Sequence, residues 1–253
     1  MTTESQSPTV ILVHGAFADA SSWAGVLGRL QAAGIEAEAI PNPLRGLAFD
    51  GEYVAGVLGQ IEGPVVLVGH SYGGAVMTHA SSKATNVRAL VYVASFGLDE
   101  GVSANRSVAD FAPPELASSV EVRTFPNGDE PGLEALIQPD KFHSAFCADV
   151  PADEAALFGA SQRPVAVSAL DEPLAVEPGW KTIPSWFVIA GADHSINPDS
   201  QRAAAARMGA TTVEIEGGSH SIAVSQADRV TAVVLDAVAS VAGQGAAAVA
   251  SGG

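Results

Sequence analysis

The stretch Val65-Val66-Leu67-Val68-Gly69-His70-Ser71-Tyr72-Gly73-Gly74-Ala75-Val76-Met77 decides how this chain folds. Four apolar residues in a row read as a strand buried on both faces. A serine then sits in the pattern G-x-S-x-G, and an apolar segment follows. Strand, sharp turn and helix, with a serine at the turn, make a nucleophile elbow. Gly69 and Gly73 are small because strand and helix meet there at a tight angle, and the turn strains the serine backbone. Ser71 is thereby expected at the carboxyl edge of the sheet, where open α/β sheets bind ligands. G-x-S-x-G alone recurs by chance in a chain with 26 glycines, so the apolar flanks give it its weight.

Outward from the elbow, strand and helix signals alternate. Residues 10–13 read as a short apolar strand, followed by the loop His14-Gly15-Ala16-Phe17. A helix is expected from Ser21, with Trp23, Val26, Leu27 and Leu30 at helical spacing and Gly34 closing it. Residues 35–40 alternate like a strand near an edge, and Pro41-Asn42-Pro43 breaks it. Asp50 reads as the N-cap of a helix with Tyr53, Val54, Val57, Leu58 and Ile61 inward. Residues 89–94, 186–190 and 212–215 read as further strands, 198–208 as a helix, and a last helix starts near Ser225. Six strands alternating with helices predict an α/β fold with a mostly parallel sheet covered on both faces.

Between residues 97 and 184 the pattern changes: prolines are frequent, strand signals vanish and short amphipathic pieces appear at 114–120, 133–137 and 153–160. This predicts a helical cap inserted into a core formed by residues 1–96 and 185–242. The Ala/Gly/Ser-rich tail, 243–253, is expected to fray.

A net charge of −16 over 253 residues argues against nucleic acid and anionic membranes as partners, and no apolar run reaches the length of a membrane span. Residues 1–8 carry no signal-peptide pattern. Cys147 is the only cysteine, so no internal disulfide forms; it reads as a small buried hydrophobe and fits a cytoplasmic protein. The expected partner is a small molecule, and the expected assembly a monomer or homodimer.

A serine hydroxyl needs a base to take its proton and an acid to orient that base. After an elbow of this kind the chain order is serine, acid, histidine. The loop after the last strand reads Glu216-Gly217-Gly218-Ser219-His220-Ser221, and small neighbours let His220 fold over the site. The preceding strand ends at Gly191-Ala192-Asp193, which makes Asp193 the expected acid. Two other carboxylates compete: Asp99, after the 89–94 strand, and Asp199, which suits a helix start. Two backbone N–H groups should cradle an oxyanion, one from Tyr72 and one from Ala16. Phe17, Phe96, Phe142, Phe146 and Trp180 are candidate pocket walls. His14, His70, His79 and His143 read as structural and His194 as a rim residue. No H-E-x-x-H or cysteine cluster suggests a metal, and the chemistry calls for no organic cofactor.

Together Val13-His14-Gly15-Ala16-Phe17, Gly69-His70-Ser71-Tyr72-Gly73-Gly74, Ile183-Pro184-Ser185-Trp186, 193–198 and Gly218-Ser219-His220 resemble the α/β-hydrolase superfamily. They are similar to its small bacterial esterase-like members and to the plant methyl-esterase and hydroxynitrile-lyase group. The resemblance implies Ser71 as nucleophile, His220 as base, Asp193 as acid, and Ala16 and Tyr72 as oxyanion donors. It implies a serine esterase acting on a small to medium neutral ester. Lyases of the group carry threonine where this chain has Gly15 and lysine where it has Ser221, so cyanogenic lyase activity is not expected. The same architecture also hosts lactonases, carbon–carbon bond hydrolases, cofactor-independent oxygenases and non-catalytic ligand receptors.

Overall fold

A computed structural model describes the chain from residue 7 to residue 251, with side chains to residue 243. The chain runs through β1 (Thr9–Val13), a 3-10 turn at Ala20–Trp23, α1 (Ala24–Ala32), β2 (Ala37–Ile40), α2 (Leu47–Leu58), β3 (Val65–His70), α3 (Tyr72–Ser81) and β4 (Val87–Val93). It then leaves the sheet for α4 (Ala104–Val108), β5 (Val120–Phe125), β6 (Gly132–Ile137), α5 (Phe142–Phe146), α6 (Ala152–Ser161), β7 (Val165–Ala166) and α7 (Val167–Asp171). It returns through β8 (Ser185–Ala190), α8 (Pro198–Met208), β9 (Thr211–Ile215), α9 (Ile222–Ser225) and α10 (Ala227–Ser251).

Six strands form one parallel sheet in the order β2-β1-β3-β4-β8-β9. The apolar runs of β1 and β3 are buried along their whole length because helices cover both faces. Alternation sorts their side chains. Ile11, Val13, Leu67 and Leu90 pack with Val54 of α2, Met77 of α3 and Met208 of α8. Val10, Leu12, Val68 and Val91 pack with Leu30 of α1 and Val230 and Val234 of α10. From β1 the chain moves outward to β2 and then back across to β3 on the other side of β1. That reversal opens a crevice at the carboxyl ends of β1 and β3, where open α/β sheets bind ligands. No helix among the described residues is long and apolar enough to cross a membrane.

The insertion lies between β4 and β8 but is not purely helical. Residues 133–137, read as an amphipathic piece, belong to β6, which pairs antiparallel with β5 and β7. The segment 114–120 splits into a 3-10 turn at Glu115–Ser118 and the start of β5. Residues 120–123 alternate Val-Glu-Val-Arg, which is a period of two. Asp50 is not an N-cap: α2 starts at Leu47, and the Asp50 carboxylate reaches back from its first turn to the amides of Arg45 (3.1 Å) and Gly46 (3.5 Å). The Ala/Gly/Ser-rich tail continues α10 as far as Ser251, and residues 252–253 lie outside the described residues, as do 1–6.

The cap is pinned to the core by polar side chains. Glu134 on β6, 4% exposed, accepts from Arg45 Nη1 at 2.8 Å and Arg123 Nε at 2.9 Å. Burial would push its carboxyl up, but the two guanidinium groups more than offset this and place it below the usual range. Glu172, just after α7, accepts from the Leu47 amide at 2.6 Å and so caps α2 from the insertion. Glu134→Gln should lower stability by about 1–2 kcal/mol, discounted because both arginines are partly exposed. Urea unfolding monitored by circular dichroism measures it.

Candidate active site

Ser71 sits between β3 and α3 with φ 53° and ψ −126°, a conformation that costs a non-glycine residue about 1–3 kcal/mol. Its neighbours leave no room for side chains. A Cβ on Gly69 would lie 2.6 Å from the Gly73 carbonyl oxygen, and one on Gly73 would lie 2.4 Å from that of Val13. The strained peptide is gripped on both sides: Ser71 N–H donates to Val93 O at 3.1 Å, and Ser95 Oγ donates to Ser71 O at 2.7 Å. Ser95 escaped the sequence reading because a lone serine after a strand carries no pattern.

His220 and Asp193 meet in the loops that follow β9 and β8. His220 Nδ1 lies 2.7 Å from Asp193 Oδ2, and both side chains are almost fully buried. Asp193 accepts three more bonds: Ser195 N–H (2.7 Å) and Ile196 N–H (2.9 Å) at Oδ1, and Gln201 Nε2 (2.7 Å) at Oδ2. Four contacts hold the carboxylate in place, one of them with the His220 ring. Gln201 comes from the first turns of α8, whose start is set by Pro198 at its first position and the Asn197 side chain on the Asp199 amide (2.8 Å). Asp99 instead pairs with Arg207 at 3.0 Å on the surface, and Asp199 with Arg202 at 2.5 Å.

Ala16 and Tyr72 line the same cavity as Ser71. Tyr72 opens α3, so its N–H has no partner one turn earlier, and among the described residues neither amide donates to a protein acceptor. The loop that carries Ala16 is locked by His14. Asn42 N–H donates to His14 Nε2 at 2.9 Å, so Nδ1 holds the ring proton and donates to Gly15 O at 2.9 Å. Burial lowers the His14 pKa to about 4 and keeps the ring neutral. Tyr72 is fixed at its far end, where its hydroxyl donates to buried Asp50 at 2.9 Å. Gly15 is obligatory: a Cβ there would lie 2.6 Å from Ser71 Cβ.

Ser71, His220, Ala16 and Tyr72 line one cavity of about 340 Å³ between core and cap. Phe17, Phe96 and Phe146 form walls as expected from the sequence, joined by Leu116, Val120, Val122, Ala135, Val167, Leu170 and Ile196. Phe142 and Trp180 do not reach it. Phe142 packs on Phe146 and lines a smaller neighbouring pocket, and Trp180 Nε1 is turned to the Leu98 carbonyl at 2.8 Å. An aromatic residue type does not reveal which way its ring points. Among the described lining residues there is no lysine or arginine, and the only polar side chain beside Ser71, Tyr72, Ser195 and His220 is Asn105.

The remaining histidines stand elsewhere. His194 lies half exposed, with Nδ1 3.0 Å from Ser144 O, and His143 Nε2 bonds to Val150 O at 2.9 Å. His79, buried on α3, has Nε2 3.4 Å from Glu52. The small neighbours of His220 turn out to be anchors. Ser219 Oγ bonds to Asp149, Ser221 Oγ donates to Phe146 O (3.0 Å), and Ser195 Oγ donates to Ala145 O (2.6 Å). Residues 144–149 of the cap are thereby clamped over both loops. Cys147, within that segment, is buried and its thiol is pushed up to about 12, which keeps it protonated.

A six-stranded parallel sheet with a strained serine after β3 and a buried carboxylate–histidine pair after β8 and β9 defines an α/β hydrolase. The chain belongs to the alpha/beta hydrolase family, whose model matches residues 10–233. It is 28% identical over 239 residues to Esterase PIR7B of Oryza sativa subsp. japonica, a match spanning 84% of this chain and 88% of the rice protein. It superposes on polyneuridine aldehyde esterase with a TM-score of 0.80 at 20% identity, covering 91% of this chain and 99% of that one. The methylesterase protein MES16 from Arabidopsis gives 0.76 at 20% identity, covering 92% and 99%.

Gly15→Ala should slow labelling of Ser71 by a fluorophosphonate about a hundred-fold, because the added Cβ displaces the Ser71 side chain. A labelling time course at matched thermal stability measures it. The buried histidines set a pH dependence of stability. Burial lowers His14 to about 4; burial, and then the neighbouring His220, lower His70 to about 3. Both folded values lie below the unfolded value near 6.5, so their contribution is complete above that pH and is lost progressively as pH falls toward 4 and 3. Urea midpoints recorded from pH 7 to 4 should decline across this window.

Proposed function

We propose that this protein is a serine esterase that hydrolyses small to medium neutral carboxylic esters through an acyl-enzyme. One observation carries the reading: Ser71, the Asp193-bonded His220, and Ala16 and Tyr72, whose amides have no protein acceptor among the described residues, line a single, mostly apolar cavity. Ser71 Oγ attacks the ester carbonyl carbon while His220 Nε2 takes its proton. The carbonyl oxygen, now negative, sits on the N–H groups of Ala16 and Tyr72. Asp193 keeps the His220 Nδ1–H oriented and stabilises the imidazolium. Collapse of the intermediate breaks the bond to the alkoxy oxygen, which leaves as alcohol with the proton from His220. Water, deprotonated by the same imidazole, attacks the acyl carbon and releases the acid and Ser71.

The substrate class follows from the walls. About 340 Å³ lies at the small end of ligand-site volumes and suits a compact acyl group. A lining without cationic side chains favours neutral substrates over carboxylates. Val122 lines the cavity yet is 54% exposed, so that wall faces solvent and one end of a longer substrate can project there. Lactones, as cyclic esters, fall within the same chemistry.

A series of p-nitrophenyl esters tests the reading. Wild type should prefer short to medium acyl chains, and Ser71→Ala should reduce kcat by about a thousand-fold or more. Hydrolysis surviving in Ser71→Ala would overturn it, and tight ligand binding without turnover by wild type would favour a receptor.

A further inference from the structure

His70 lies inside the elbow, but the elbow itself asks only for small residues around Ser71. It ends β3, is 3% exposed, and stands edge-on to both Trp23 and Phe146 with ring centroids 6.3 Å apart in each case. Its ring centroid is 4.7 Å from that of His220. Nε2 lies 2.9 Å from the main-chain carbonyl oxygen of His220. A carbonyl only accepts, so Nε2 carries the ring proton and donates. Burial keeps the ring neutral, which leaves Nδ1 a bare acceptor. That Nδ1 is buried and has no partner.

An orphaned buried acceptor costs about 1–3 kcal/mol, a cost that an apolar ring of the same size would avoid. What the imidazole adds in exchange is one hydrogen bond, to the backbone of His220. The loop enters through Gly217, with φ 73°, and Gly218, and the side chains of Ser219 and Ser221 tie it to the cap on either side of His220. His220 itself is held by Asp193 at Nδ1 of its imidazole and by His70 at its carbonyl. A ring held at one atom can pivot about it; fixing the carbonyl of the same residue supplies a second point and stops the pivot.

We propose that His70 is a positioning residue whose Nε2–H holds the main chain of His220, so that the His220 imidazole stays aligned between Asp193 and Ser71. The proposal rests on the reading of Ser71 and His220 as nucleophile and base. His70 touches no substrate and transfers no proton.

Two amide substitutions separate this from packing. The amide nitrogen of glutamine reaches the place of Nε2, whereas that of asparagine reaches the place of Nδ1, where no partner exists. His70→Gln should retain wild-type kcat to within about three-fold, while His70→Asn and His70→Leu should lose about a hundred-fold in kcat with little change in KM. In parallel, the low-field proton resonance of the His220 Nδ1–H bonded to Asp193 should persist in His70→Gln and broaden or shift in His70→Asn. Should the leucine variant fail to fold, the two amide variants decide. Wild-type kcat in His70→Asn, a His70→Gln that falls equally far, or an unchanged resonance in His70→Asn would overturn the proposal. The resonance needs no turnover, so this outcome is distinct from failure of the esterase reading, which appears as hydrolysis by Ser71→Ala.

Discussion

Everything at this site depends on backbone approaching backbone without side chains between. The turn after β1, the end of β3 and the first turn of α3 meet at Gly15, Gly69 and Gly73, where a Cβ would fall within 2.4–2.6 Å of its neighbours. At this contact Ser71 holds a strained backbone conformation, φ 53° and ψ −126°. The strain persists because Val93 and Ser95 grip the peptide on either side. Ser71 and the residues Ala16 and Tyr72 are thus held by strand ends and a helix start, which are more precise supports than free loops.

The acid and the histidine reach the site by a different route. They stand on loops, and loops are precise only where side chains tie them. Asp193 is tied by two amides and Gln201; His220 by Asp193 and by His70 at its carbonyl. Serines 195, 219 and 221 add bonds to residues 145–149 of the cap. The cap therefore closes the cavity and also braces the loops that complete it.

The elbow, the parallel core and the pairing of Asp193 with His220 beside the cavity that Ser71 lines were legible in the sequence because each is written in a local constraint. Backbone crowding demands glycine, double burial demands unbroken apolar runs, and chain order places acid and histidine after successive strands. The cap resisted for physical reasons. β7 has only two residues, and in β6 the run Gly132-Leu133-Glu134-Ala135-Leu136-Ile137 fits a helix as readily as a strand until its partner is known. Asp50 looked like a cap because its spacing from the apolar residues is right; its carboxylate serves Tyr72 and two amides from inside the helix instead. Ser95, Gln201 and Asn42 act through one, three and two hydrogen bonds respectively, and isolated bonds leave no periodicity to read.

The cap sheet β5-β6-β7 shares no ladder with the six-stranded sheet of the core. Its strands supply Val120, Val122 and Ala135 to the cavity wall but no part of the serine–histidine–aspartate constellation. Substitutions in this hairpin can therefore reshape the cavity while leaving core register and the elbow untouched. The hairpin side of the cavity wall and the strand ends that carry Ser71, Asp193 and His220 thus belong to separate ladders, so the first can vary without altering the strand pairing beneath the second.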